Sequence, residues 1–136
     1  MRFFNKNIAA SGAFLMVLAV VLGAFGAHGL QQIVSPAAVQ SFEVGVRYHT
    51  YHALAILILS VLPLQSEKLR KTTFILLLTG IILFSGSIYL LTFKENLSFD
   101  PGMFGLVTPL GGVFFIIGWL WLGVGILKLK KQYLSD

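Results

Sequence analysis

Four apolar stretches alternate with short polar segments along the chain. They cover residues 8–27, about 51–64, 72–93 and 104–127. A helix needs about 20 residues to cross the roughly 30 Å hydrocarbon core of a bilayer. The first, third and fourth stretches reach that length alone. The pattern therefore predicts an all-α fold whose long apolar segments cross a membrane.

The second apolar stretch reaches membrane length only if its helix begins earlier in the chain. Ser35 can cap a helix, and Pro36 is tolerated at the first helical position. Between Pro36 and Leu62 Gly45 is the only poor helix former, and Pro63 then stops the helix. We expect one long helix over 36–62, with an amphipathic start and a span at about 44–64.

Asp100-Pro101 is a similar opening before the fourth stretch, and Thr108-Pro109 lies near the beginning of that stretch. A proline inside a helix removes a hydrogen bond and bends the rod, whereas one in the first turn does neither. Thr108-Pro109 therefore predicts either a kink in the fourth helix or a late start of it.

Composition supports lipid as the surrounding medium. Hydrophobic residues make up 57% of the 136 residues and charged ones 11%, whereas roughly a quarter of an ordinary soluble domain is charged. A soluble protein this small could not bury so much apolar surface. We expect one transmembrane domain over 1–136, an integral membrane four-helix bundle. The absence of cysteine excludes disulfides and thiolate metal sites.

The positive charges predict the orientation of the bundle. In a four-span arrangement eight Lys and Arg residues lie on one side: Arg2, Lys6, Lys68, Arg70, Lys71, Lys128, Lys130 and Lys131. Only Arg47 and Lys94 lie on the other. The positive-inside rule then places both termini and a middle loop, formed by residues 65–71, in the cytoplasm. Because these charges lie between apolar runs, they indicate contacts to anionic lipid and no nucleic-acid partner.

The first stretch also resembles a signal peptide, since Arg2 and Lys6 precede it and residues 24–27 include the small residues Ala24, Gly26 and Ala27. A signal core is usually 7–15 residues long, and residues 8–27 exceed that length. We expect this stretch to be retained as a transmembrane helix.

Small residues recur at helical spacing within the apolar stretches. Helices in lipid associate through close packing of small residues and through hydrogen bonds. Such stripes predict packing seams in a tight bundle. The candidates for helix packing are Gly12, Gly23, Gly26, Gly80, Gly86, Gly111, Gly118 and Gly125.

One cluster of polar residues stands out on the second helix, and a further histidine follows the first span. Residues three or four apart share a helix face, and ionisable groups near a bilayer are costly unless they are used. One interpretation is a ligand-binding or proton-handling site on the outer side. The alternative is structural: an ion pair between Glu43 and Arg47, with histidines that cap or cross-link helices. The candidate residues are His28, Glu43, Arg47, Tyr48, His49 and His52.

Catalysis and cofactors receive little support from the sequence. A metal site would need His28 and Glu43 to approach His49 and His52, which requires the loop to fold back. Haem ligation by a single histidine has no second feature to support it. No Asp, Glu, Lys or Arg occupies the central part of a span, and no phosphate-binding loop, zinc-protease motif or activated nucleophile is evident. We expect no metal and no cofactor, and an enzyme is disfavoured.

Four blocks of sequence resemble one known family. The blocks are Gly23-Ala24-Phe25-Gly26-Ala27-His28-Gly29-Leu30, residues 42–49 with 51–55, residues 83–91, and Thr108-Pro109-Leu110-Gly111-Gly112 followed by Gly118-Trp119. They resemble the small membrane proteins of domain of unknown function 423, a family that includes YgdD-like bacterial proteins and transmembrane protein 256 of animals. The resemblance implies an uncleaved, multi-pass protein of the bacterial inner (plasma) membrane. It implies no activity.

The sequence thus supports two functional hypotheses. The first is a non-enzymatic structural or accessory subunit in the membrane, within a homo-oligomer or a larger complex. The second is a small-molecule or ion binder, or a transporter, with a polar site around Glu43, Arg47, His49 and His52.

Overall fold

The computed structural model describes residues 3–129, and four helical rods account for most of them. The third rod is continuous but contains a π-helical turn. The elements are α1 (Lys6–His28), α2 (Pro36–Leu59), α3 (Glu67–Gly80), the π-helical turn (Ile81–Ser85), α4 (Gly86–Thr92) and α5 (Val107–Leu127). No strand occurs in this part of the chain. The expected all-α four-helix bundle is confirmed.

Three of the rods are long and apolar enough to cross a membrane by themselves. They are Lys6–Gln32, Glu67–Thr92 and Gly102–Leu127, of which the first and the last include flanking 3₁₀ turns. Their outward faces carry large apolar side chains, such as Phe14, which is 75% exposed. Such a surface suits lipid and not water.

Side-chain caps fix where α1, α2 and α3 begin. The side chain of Asn5 accepts a hydrogen bond from the Ile8 amide, Ser35 from Ala38 and Ser66 from Leu69. Each cap satisfies an amide that the first helical turn leaves free. Because α3 begins directly after Ser66, residues 67–71 form its first turns. The expected polar loop over 65–71 is therefore wrong, and residues 60–66 connect α2 to α3.

The beginning of α5 resolves the two alternatives for Thr108-Pro109. A 3₁₀ turn over Gly102–Leu106 precedes the helix, which begins at Val107. Pro109 thus lies in the first turn, where a missing amide costs no intrahelical hydrogen bond. The helix starts late and this proline does not break it.

Helix α2 ends at Leu59, three residues before the expected end at Leu62. A buried arginine from α3 takes up the carbonyl groups that this ending frees. The Arg70 side chain is 0% exposed. Its Nη1 donates to the carbonyl of Leu59 at 2.6 Å, and its Nη2 donates to Leu62 and Leu64, both at 3.1 Å.

Glu67 supplies the counter-charge for this arginine. Its Oε1 lies 3.3 Å from Arg70 Nε, while the carboxylate remains 59% exposed. The guanidinium group thereby satisfies four acceptors at once, and cations are favoured at a helix C-terminus. The turn between α2 and α3 is held by this one side chain.

The rods alternate in direction, so the chain forms two helical hairpins. Helix α1 packs chiefly on α2, and α3 chiefly on α5. The Asn5 amide donates to the Ser60 carbonyl at 3.0 Å, which places the beginning of α1 beside the end of α2. A core cluster of Ile8, Ile56, Leu77, Ile81 and Phe115 joins the two hairpins.

This arrangement gathers most of the positive charge of the described residues at one end. We call it the basic end, and it holds the beginning of α1, the beginning of α3 and the end of α5. Arg47 lies within α2, and Lys94 lies at the opposite end, after α4. The residues of the basic end are Lys6, Lys68, Arg70, Lys71 and Lys128.

Most of the glycines expected at packing seams lie against a neighbouring helix. A Cβ on Gly12 would meet Leu57 at 2.8 Å, one on Gly26 would meet Phe42 at 3.0 Å, and one on Gly118 would meet Leu77 at 2.9 Å. Gly80 and Gly125 are closed in by Phe115 and Leu69. A Cβ on Gly23 would make an ordinary contact with Val46 at 3.4 Å.

Among these glycines, Gly111 has the least space for a Cβ and Gly86 has the most. The Cβ of an alanine at Gly111 would collide with the backbone of Phe84, so α5 and the π-helical turn touch main chain to main chain. Gly86 has nothing within 4 Å, so the expected packing role is wrong there. Its neighbours Ser85 and Ser87 face α2 and α5, and at about 100° per residue Gly86 lies between those two directions.

We predict that Gly111→Ala destabilises the protein by about 3 kcal/mol or more, because the Phe84 backbone cannot move aside as a side chain could. Gly123, on the same helix, has open space around its Cβ. Gly123→Ala should therefore change the stability by less than about 1 kcal/mol. Unfolding in mixed detergent micelles measures both. Equal stability of the two variants would contradict the close contact.

We predict that Arg70→Met costs about 3 kcal/mol, because it leaves buried carbonyl groups without donors. Arg70→Lys should lie between this variant and the unaltered protein, since one ammonium group cannot match the geometry of the fork. The exposed neighbour Lys71 is the control, and Lys71→Gln should stay within about 0.5 kcal/mol. The same unfolding measurement applies, and an unaffected Arg70→Met variant would refute the role of this side chain.

Candidate functional site

The structure separates the six candidate site residues into exposed and buried sets. His28, the last residue of α1, is exposed, as are Glu43 and Arg47 of α2. Tyr48 is partly exposed at the surface, whereas His49 and His52 are buried. They therefore do not line one shared polar cavity.

Glu43 and Arg47 lie one turn apart on α2 without an ion pair. Within residues 3–129 the one carboxylate–cation contact under 4 Å is that of Glu67 with Arg70, so the expected pairing of Glu43 with Arg47 is wrong. Both side chains instead line an open groove of about 300 Å³ between α1 and α2, whose floor includes Gly23 and Gly26.

His52 is held between α2 and α5 by two hydrogen bonds. Its Nδ1 lies 2.7 Å from the Tyr48 carbonyl, and its Nε2 lies 3.1 Å from Trp119 Nε1. A carbonyl only accepts and an indole N–H only donates. These partners select the neutral ring with its proton on Nδ1. The ring also stacks on Phe115, with centroids 3.5 Å apart.

His49 lies one turn before His52 on α2 and faces the third rod. Its Nδ1 lies 3.1 Å from the hydroxyl of Tyr89 in α4. The other ring nitrogen, Nε2, makes no hydrogen bond to a described residue, although the backbone of Leu15 in α1 lies near the ring. This histidine therefore cross-links α2 to α4 and packs against α1.

Hydroxyl groups add further links around the π-helical turn. Ser85 Oγ donates to the Gly45 carbonyl at 2.7 Å. Ser87 Oγ donates to the Phe84 carbonyl at 3.0 Å and lies 2.6 Å from Thr108 Oγ1. Since the Ser87 proton is used, Thr108 must donate between the two hydroxyls. These hydroxyls link the π-helical turn to α2 and the beginning of α4 to α5.

An apolar groove of about 610 Å³ opens beside His52. It is lined by Tyr48, Phe84, Phe115 and Trp119 together with smaller residues of α5. Both ring nitrogens of His52 are already bonded, so the groove offers a ligand aromatic faces and few free polar groups. The arrangement suits an acyl chain or a neighbouring helix better than a polar solute.

The structure does not bring together the side chains that the possible metal site would need. Among residues 3–129 no group of three or more His, Asp or Glu side chains converges closely enough to hold an ion. His49 and His52 bond to different helices, and His28 and Glu43 are exposed.

Sequence reasoning missed the partners of these residues. Arg70 entered the prediction only as one of the positive charges that indicate orientation, and Trp119 only as part of a block that resembles the family. The spacing of Glu67 and Arg70 after the capping Ser66 was an available signal for a helical pair. Nothing in the sequence joins Trp119 to His52, 67 positions apart.

Comparison with known proteins agrees with this helical architecture. Residues 22–112 match the model of the family described as protein of unknown function (DUF423). The chain belongs to this family, whose members are uncharacterised membrane proteins.

Several relatives align with nearly their whole length. The chain is 40% identical over 119 residues to UPF0382 membrane protein YwdK of Bacillus subtilis, covering 86% of this chain and 93% of the relative. It is 37% identical over 124 residues to a UPF0382 membrane protein of Haemophilus influenzae, covering 91% and 93%. It is 34% identical over 133 residues to the UPF0382 inner membrane protein YgdD of Escherichia coli, covering 97% and 95%. No solved structure matches.

We predict that Trp119→Phe destabilises the bundle by about 1 kcal/mol, because His52 Nε2 loses its donor while the aromatic packing is retained. Trp121 provides a matched control, since it is 44% exposed and makes no hydrogen bond within the described chain. Trp121→Phe should leave the unfolding transition in detergent unchanged. A loss of the same size from both substitutions would show that the His52 bond contributes nothing specific.

Proposed function

We propose that this protein is a non-enzymatic structural or accessory subunit that associates with a second copy of itself through the α1–α2 face. All four rods cross the membrane in this proposal, α2 included, with both termini in the cytoplasm. The buried histidines then act as links between helices, and the exposed charges of α2 act between subunits.

The position of Glu43 and Arg47 carries the proposal. At 1.5 Å per residue, Arg47 lies about 20 Å along α2 from Ser60 at the basic end. With that end at one face of a hydrocarbon core about 30 Å thick, Arg47 lies within the core toward its outer side. Charges at this depth are costly unless they are paired or reach water. Both side chains are exposed, and neither pairs with the other.

A two-fold symmetric contact would satisfy both charges. Residues four apart share a helix face, and in such a contact Glu43 of one copy faces Arg47 of the other, twice over. The adjoining groove with Gly23 and Gly26 lets a neighbouring helix approach closely. Eight of the chain's ten positive charges lie at or beyond the basic end in sequence, which supports its placement in the cytoplasm.

Exchange of charges tests this proposal directly. Glu43→Arg and Arg47→Glu each set like charges against each other in a homodimer, so each variant alone should associate at least about tenfold more weakly. Co-expressed, the two variants present opposite charges and should form a mixed dimer. Native mass spectrometry in mild detergent reads the masses, with Lys94→Glu as the control.

A second candidate is a small-molecule or ion binder that uses the same groove, favoured by its volume of about 300 Å³ and its two exposed charges. It predicts a monomer that carries an added small mass, lost in both Glu43→Gln and Arg47→Gln. A strict monomer without added mass, in detergent and in lipid nanodiscs, would overturn both candidates.

A further inference from the structure

A third groove lies at the basic end, between the beginning of α3 and the end of α5. It has a volume of about 330 Å³, and its lining combines two lysines, a tryptophan and aliphatic side chains. It is separate from the α1–α2 face and from the buried histidines. The lining residues used below are Ser66, Lys68, Trp121, Val124, Gly125 and Lys128.

Close packing creates this groove. Gly125 has no side chain, and Leu69 occupies the space where its Cβ would stand. The first turn of α3 therefore approaches the last turn of α5. Lys68 from one helix and Lys128 from the other consequently line the same opening.

The electrostatics of the groove favour an anion. The neighbouring carboxylate, Glu67, is already bound to Arg70, so it does not cancel the two exposed lysines. The first turn of α3 also presents amide groups at the positive end of its dipole. The carbonyl end of α5 is partly satisfied, because the Lys128 amide donates to Val124 and Gly125.

The apolar half of the groove identifies the kind of anion. Trp121 and Val124 are exposed on α5 on the side of the lysines that faces the bilayer interior. Tryptophan favours the headgroup level of a membrane, and the Trp121 indole makes no hydrogen bond within the described chain. A soluble anion would leave this apolar wall uncovered, whereas acyl chains would cover it.

We propose that this groove binds the headgroup of an anionic phospholipid. The lipid phosphate lies between Lys68 and Lys128 at the beginning of α3, and its acyl chains lie along Trp121 and Val124. Basic pockets between transmembrane helices are suited to such headgroups. The site does not depend on the proposed association through α1 and α2.

Binding of phosphatidylglycerol to the full-length protein in mild detergent tests the site, with native mass spectrometry or a fluorescent lipid as the readout. Lys68→Gln and Lys128→Gln should each weaken binding about 5-fold, and together about 25-fold. The control is Lys71→Gln with Lys94→Gln, which removes the same charge outside the groove and should change binding less than 2-fold.

Further arms separate the sources of the phosphate and the role of the apolar wall. Phosphatidylcholine should bind as weakly to the unaltered protein as phosphatidylglycerol binds to the double lysine variant. Glycerol phosphate at millimolar concentration should not displace the lipid. Trp121→Phe should weaken binding 2- to 5-fold, since it removes the indole donor and retains the ring.

Three results would overturn the proposal: equal losses in the double lysine variant and its control, equal binding of the two lipids, or full displacement by glycerol phosphate. Both lysines are exposed, so the fold should tolerate their loss, and unchanged thermal unfolding verifies this. If the double variant unfolds, the single variants carry the same comparison.

Discussion

The architecture depends on a constraint that hydrocarbon imposes: a polar group inside the bundle must find its partner within the protein. The chain meets this constraint by bonding across helices. Tyr89 reaches His49, Trp119 reaches His52, and Ser85 reaches the backbone of α2 at Gly45. Because these bonds converge on α2, the least apolar of the four rods is the one that contacts each of the other three. Its polar side chains hold the two hairpins together.

The glycines determine how closely the helices can pack against one another. Main-chain contact between Gly111 and Phe84 brings α5 against the π-helical turn, so that Thr108 reaches Ser87. Gly80 leaves room for the ring of Phe115, and that ring also stacks on His52. Small residues and buried polar residues are therefore parts of one arrangement. Larger side chains at the glycine positions would push the helices apart and break the hydrogen bonds between them.

The fold could be predicted from the sequence because its signals are local. Apolar length, the cap at Ser35 and glycine spacing each act within one helix. The sequence leaves the beginning of α5 open between a kink and a late start, and the 3₁₀ turn before Val107 shows that the helix starts late. Residues 67–71 were misassigned because their polarity resembles that of a loop, although Ser66 caps a helix. The candidate site was predicted less well, since Glu43, Arg47 and the two histidines point in different directions around α2. Which neighbour each side chain meets depends on the packing of rods distant in sequence.

The Arg70 interaction also bears on how the chain is made. Its acceptors lie only 6, 8 and 11 residues upstream, so the contact closes over a very short loop. All the groups that end α2 therefore lie within residues 59–70, before most of the third rod in the sequence. The reversal of chain direction is thus encoded ahead of the segment that must follow it.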